Sequence, residues 1–302
     1  MADEPGHDRV TAQLVAVIAA VRDGVPMVLT TAGGRQFPAG PLQPDHRSMQ
    51  EGLRAWVRQQ TGYHLGYVEQ LYTFADRDRG GGPVLEVTYL GLTRAAESLA
   101  GWRSWFAYFP WEDRRAGSGT DIVDGVITPR LLAWAQAGPD PAEVEARRTR
   151  CAVTFGLEGR PWLPEMALQR YELLYEAGLV PESPHAIGDV VPGDAMARHH
   201  RRILATGIGR LRAKIQYQPV VFEMLPATFT LGELQDTVEA IAGQNVHTQN
   251  FRRLVTQQGL VEDAGDVRAA TGGRPARLVR FRRSVVDERD AAGTKLPVPR
   301  TR

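Results

Sequence analysis

One cysteine, Cys151, in 302 residues leaves nothing to pair in a disulfide and too few thiolates for a cysteine-held metal site. A membrane-length apolar run is missing too. The stretch from Val10 to Val21 is about twelve residues, whereas a helix needs roughly 20 to span a bilayer. No basic segment precedes it, so it does not resemble a signal peptide. A soluble cytoplasmic chain with no membrane partner is expected. There is no internal repeat and no disorder signature, since the apolar fraction of 43% is ordinary for a globular protein. The length suggests two domains, because single cores seldom grow much beyond roughly 250 residues.

Acid is also absent from one short stretch where it matters. From Thr248 to Gln257 the sequence is TQNFRRLVTQ, with no Asp or Glu. Just before it, Thr230 stands three residues ahead of Glu233, the spacing of a capping box, and Phe229 and Leu234 hold the positions of a hydrophobic staple. Leu231, Leu234, Val238 and Ile241 then recur at helical spacing, leaving Asp236, Thr237 and Glu239 outward, and Gly243 is the stop. After a short turn, Phe251, Leu254 and Val255 form the stripe of a second helix that ends at Gly259. Its outer face carries Thr248, Gln249, Asn250, Arg252, Arg253 and Gln257, side chains suited to base edges and phosphates. An extended run and a Gly-Gly-Arg-Pro-Ala-Arg tip follow, where Arg274 and Arg277 flank a tight turn. The pattern predicts a winged helix-turn-helix that binds double-stranded DNA.

Charge agrees with this division. From His199 onward there are 17 Lys and Arg against 10 Asp and Glu, and 19 against 25 before it, although the whole chain sums to only +1. A basic C-terminal part on an acidic N-terminal part suits a phosphate-backbone binder joined to another module.

That other module reads as α/β. LVAVIAAV and PMVLTT predict two buried strands joined by a turn at residues 22–26, and Ser48 starts a helix through Met49, Leu53, Trp56 and Val57 that closes at Gly62. GYVEQLYTFADRDR and PVLEVTYLGLT predict two further strands. From about 95 to 198 only ITPRLLAWAQA and EMALQRYELLYEAGL stand out as helices, and the rings of WRSWFAYFPW are expected to be packing material. RRILATGIGRLRAKI predicts a helix leading into the winged unit, and the polar end beyond Arg283 is expected to be partly disordered.

The order Gly-rich loop, helix and Thr-Gly stop resembles a Nudix hydrolase domain, whose motif is G-x5-E-x7-R-E-U-x-E-E-x-G-U with U aliphatic. In that family the motif's glutamates hold the divalent metals that activate water on a pyrophosphate. Anchored on Gly62, the Arg-Glu pair falls on Ala55 and Trp56, and the Glu-Glu pair on Gln59 and Gln60; the early glutamate falls near His46 or Arg47. Amides and an indole cannot supply an anionic oxygen cage. No catalytic and no metal-binding residue is therefore expected, and no cofactor.

Further motifs make the resemblance specific. QLYTF with Asp76, Arg77, Asp78 and Arg79, then LRAKIQY, FEMLPATFTLGELQ, NFRR and GRPA, are similar to those of Nudix-related transcriptional repressors of NAD metabolism. YFPWEDRR and LQRYELLYEAGLVPE make the chain resemble that group's longer NadQ branch, related to NrtR. The resemblance implies a Nudix-like α/β/α sandwich at 1–217, with a helical insertion at about 95–198 and a linking helix at about 199–217, followed by a winged helix-turn-helix at 218–302. It further implies a homodimer on a palindromic operator and a nucleotide effector: ADP-ribose, NAD, ATP or a related metabolite. Candidate effector contacts are Arg47, Tyr72, Phe74, Arg77 and Arg79, since arginines suit phosphate and an aromatic ring suits adenine. The alternative is a divergent Nudix pyrophosphatase acting on ADP-ribose or NADH, its C-terminal unit serving only to dimerise.

Overall fold

The computed structural model describes residues 10–77, 83–94, 98, 100–186, 188–268, 276–282 and 284. Strand β1 (Thr11–Arg22) lies at the centre of the first module. It turns through Asp23 and Gly24, both at positive φ, into β2 (Val25–Leu29), the backbone that a two-residue hairpin of matching twist requires. β3 (Ala39–Pro41) pairs with β1. Helix α1 (Met49–Thr61) follows, with Ser48 accepting from the Glu51 amide and Gly62 in the left-handed conformation at its end. β4 (Tyr67–Arg77) and β5 (Pro83–Leu92) are antiparallel partners, and β6 (Trp102–Ser104) closes a sheet of order β4-β5-β1-β2-β6.

β1 and β5 run parallel, so β1 is covered on both faces and alternate side chains feed two cores. Leu14, Ala16 and Ile18 meet Leu53 and Val57 of α1. Val15, Val17 and Ala19 point the other way, into a core shared with α7 (His200–Lys214) through Ile203, Leu204 and Ile208. A Cβ on Gly207 would stand 3.3 Å from Val17, so the missing side chain lets this helix lie close on the strand. The predicted linking helix is thus also the second outer layer of an α/β/α sandwich.

Among the described residues the insertion holds the α-helices α2 (Trp105–Tyr108), α3 (Ser118–Ile122), α4 (Thr128–Gln136), α5 (Pro141–Phe155) and α6 (Ala167–Glu176). Trp105, Tyr108, Phe109 and Trp111 are all buried, as packing material should be. Cys151 is buried among them, and burial pushes its thiol up to about 11, out of the range of a reactive thiolate.

The C-terminal unit has α8 (Leu231–Ala242), α9 (Thr248–Gln257) and the antiparallel pair β7 (Val261–Arg268) and β8 (Ala276–Phe281). Both halves of the Thr230–Glu233 capping box are made, and Phe229 exchanges two backbone hydrogen bonds with Val279 beside the wing. Of the three side chains expected to face outward from α8, only Asp236 is exposed. Thr237 is buried and donates to the Glu233 carbonyl, and Glu239 accepts from the Val246 amide and Gln235 Nε2. For Glu239 the reason is tertiary: the turn into α9 folds back onto its side of the helix through Val246. Among the described residues no helix is long and apolar enough to cross a membrane.

Candidate nucleic-acid interface and effector region

α9 is held from beneath by Phe251 and Val255, both fully buried, which turns Thr248, Gln249, Asn250, Arg252 and Arg253 to solvent. Two of these arrive preorganised. Arg253 Nη2 donates to Asn250 Oδ1 at 2.7 Å, so the two side chains lie together on the exposed face. Thr248 is tied back to α8, its hydroxyl accepting from Gln235 Nε2 at 3.1 Å while the same amide donates to the Val246 carbonyl. Gln235 escapes a sequence reading because it sits on a helix face that looks exposed until the turn packs on it. Arg252 and Arg277 line one notch of about 610 Å³ between the start of α8, α9 and the wing strands. Arg277 is largely exposed, with Asp263 3.7 Å away. Arg274 lies outside the described residues.

A buried ionic cluster fixes this unit to the rest. Glu112, just after the insertion's aromatic run, takes a two-pronged contact from Arg170 (2.6 and 3.0 Å) and a further bond from Arg212 of α7. Arg212 Nε donates to the Ile241 carbonyl in the last turn of α8 at 2.8 Å. Burial alone would raise the Glu112 carboxyl, but the Arg170 and Arg212 guanidiniums hold it below its ordinary value. Gly243 has φ +68, and a Cβ there would fall 2.1 Å from the Glu112 carbonyl oxygen. The Arg114 amide donates to the Gly243 carbonyl, and Asn245 Nδ2 to that of Arg115. The end of α8 and the turn that aims α9 are therefore clamped to the insertion.

The candidate effector contacts are distributed unevenly. Tyr72 and Phe74 are neighbours on edge strand β4, rings 4.9 Å apart, with Tyr72 exposed and Phe74 buried beneath the Arg202 guanidinium. Arg47 is exposed on the segment entering α1, and α1 packs on the opposite face of the sheet from Phe74. The contact set therefore spans an edge strand and a loop beside α1, and no hydrogen bond, ion pair or ring contact joins Arg47 to Tyr72 or Phe74 among the described residues. Arg77 ends β4, and Arg79 lies outside the described residues.

On α1, two side chains standing at Nudix motif positions are engaged elsewhere. Trp56 Nε1 donates to the Pro41 carbonyl, and its indole covers Gly40 so closely that a Cβ there would overlap it at 2.2 Å. Gln60 both donates to and accepts from the Ala39 backbone. They clip β3 to the helix. Among the described residues, no group of three or more His, Cys, Asp or Glu is placed to hold a metal ion.

His200, at the start of α7, was also overlooked by the sequence reading. Its ring stacks on Phe37, and Nδ1 accepts from the Phe37 amide at 2.7 Å. Burial, with the nearby Arg198 and His199 charges, pushes its pKa down to about 4. The unfolded chain therefore takes up a proton that the folded chain refuses. Stability is complete above about pH 6.5 and falls as pH drops towards 4, by about 3 kcal/mol from this group. Urea midpoints measured from pH 7.5 to 4.5 should show that slope, and His200→Asn should flatten it.

Comparison with known proteins adds three findings. Residues 221–281 match the NrtR DNA-binding winged helix domain. A curated relative from Acinetobacter baylyi, described as an ADPR responsive transcriptional repressor NtrR, is 37% identical over 86 residues, 28% of this chain and 34% of the relative. The alignment thus reaches about a third of that relative's length. Among solved structures, Shewanella oneidensis NrtR matches alone (TM-score 0.53) and complexed with a 27mer DNA (0.51), each at 18% identity over 91% of this chain and 95% of the other. A MutT/nudix family protein from Enterococcus faecalis matches at TM-score 0.51 and 14% identity, over 93% and 90%. At these identities the structures show a shared fold: a Nudix domain followed by a winged helix.

Proposed function

We infer that this chain, whose residues 221–281 are an NrtR-type DNA-binding winged helix on a Nudix-like fold, is a transcriptional repressor whose front domain senses a small nucleotide. One observation carries the reading: the family-matched domain presents an acid-free, solvent-facing helix, α9, with its Arg253–Asn250 pair already set. Asn250 and Arg253 read base edges, with Thr248 and Gln249 beside them, while Arg252, Arg274 and Arg277 hold phosphates next to the wing. Two copies place their α9 helices about 34 Å apart on a palindrome, one turn of DNA. The targets are genes of NAD synthesis or salvage.

The effector is ADP-ribose or a related nucleotide, in keeping with the name of the Acinetobacter relative. Its contacts are Tyr72, Phe74, Arg77 and Arg79, with Arg47 from the segment before α1. The domain binds without turnover, because Ala55, Trp56, Gln59 and Gln60 stand where a Nudix enzyme carries its Arg and Glu ligands, and Trp56 and Gln60 hold β3 instead. Calorimetric titration with ADP-ribose, NAD and ATP, alongside an assay for Mg²⁺-dependent AMP release, tests this. Heat without AMP supports it, and steady release of AMP contradicts it.

A further inference from the structure

The helical insertion contains a cavity that the effector reading does not use. It encloses about 510 Å³ between α6, the start of α7 and one side chain of α5, within the usual range for small-molecule sites. Tyr171 forms a buried floor, and Tyr175 stands 6.3 Å from it, ring to ring. Burial, then the Glu182 charge, raises the Tyr171 phenol, so the hydroxyl stays protonated as a donor. Arg150, Arg198, His199 and Arg202 supply the basic part of the lining.

The acids in the wall limit what fits. Glu172 pairs with Arg202 at 2.6 Å, Glu176 with Arg150, and Glu182 with the buried Arg201 at 3.1 Å. These carboxylates leave little surplus positive charge for a dianionic phosphate. Arg198 is the loosest cation of the wall, half exposed and 3.6 Å from Glu86, with Gln13 Oε1 at 3.3 Å. Its backbone carries a second signal, φ +55, the left-handed region. Glycine adopts that region freely and a branched-out arginine does not. Such a conformation persists where the surrounding structure holds it and is enriched at ligand sites; Asp23, Ala32 and Glu158 share it elsewhere in the chain.

We propose that this cavity is a second binding site, for a planar aromatic ring bearing a single carboxylate, the ring lying along Tyr171 and Tyr175 and the carboxylate on Arg198. As proposed, it is distinct from the nucleotide site on β4 that it adjoins, for Arg202 lines the cavity and also lays its guanidinium over Phe74. Tyr171 follows Arg170 directly, one residue from the ionic clamp on α8.

Isothermal titration of the full chain, without DNA, tests this with benzoate and pyridine-3-carboxylate against their neutral amides. Each acid should bind saturably and at least about 10-fold more tightly than its amide, the usual worth of a charge-assisted bond. Arg198→Gly, made together with Glu86→Gln so that the buried Glu86 is not left without its counter-charge, should weaken the acids by a similar factor relative to Glu86→Gln alone, with the urea midpoint read for both. That comparison keeps the test independent of folding. No saturable binding of either acid, equal binding of acid and amide, full binding by the double variant, or displacement of the acids by ADP-ribose would each overturn the proposal. None of these outcomes depends on whether the protein binds an operator.

Discussion

Replacing Glu112 with Gln should destabilise the folded chain by about 3–5 kcal/mol, the usual penalty for leaving a buried ion pair with one partner. Here two guanidiniums lose their counter-charge at once, since Arg170 and Arg212 are both fully buried against that carboxylate. The effect should reach α9, because Arg212 also holds the Ile241 carbonyl where α8 ends. Urea unfolding gives the magnitude, and hydrogen exchange at residues 241–246 gives the location. A variant with all three side chains made apolar is informative as well. Such swaps are often neutral or stabilising, so the fold should recover while the tie to Ile241 does not. Wild-type stability in Glu112→Gln would remove the clamp from the account.

The second large effect concerns α9 itself. Changing Arg252 and Arg253 together to Ala should leave folding unchanged, since both are exposed, yet lower affinity for the preferred DNA by roughly 2–6 kcal/mol in sum. That is a loss of at least about 30-fold. The single variants should differ in kind. Arg252→Ala should weaken all sequences alike and flatten the salt dependence by about one unit of slope. Arg253→Ala and Asn250→Ala should instead relax preference at one position, because each breaks the same preset pair. Unchanged affinity in Arg253→Ala and Asn250→Ala would take the recognition role from this helix.

Features fixed by a few neighbours along the chain were legible in the sequence. The Thr230–Glu233 box, the Ser48 cap and the stops at Gly62 and Gly243 all stand where local spacing put them. So does the acid-free face of α9, which needs only the period of Phe251 and Val255. Helix α5 was legible and passed over: Asp140 caps it, Pro141 opens it and Gly156 ends it. What could not be read depends on distant packing. Glu112 looks like any acid before two arginines until α6 and α7 bring Arg170 and Arg212 to it, 58 and 100 residues away. Gln235 and Glu239 look exposed until the turn into α9 packs on them. The effector contacts are least legible, because sequence order gives no hint that Phe74 is buried beneath Arg202, far along the chain.

The most direct test is selection of bound duplexes from a random library by the full chain, followed by mobility shift on the winner at about 150 mM salt, where nonspecific phosphate binding fades. The account predicts an enriched palindrome, bound in the presence of excess unrelated DNA, whose affinity changes at least about fivefold when ADP-ribose is added. A well-folded protein that enriches no sequence, or whose grip on the enriched one ignores every nucleotide tested, would contradict it.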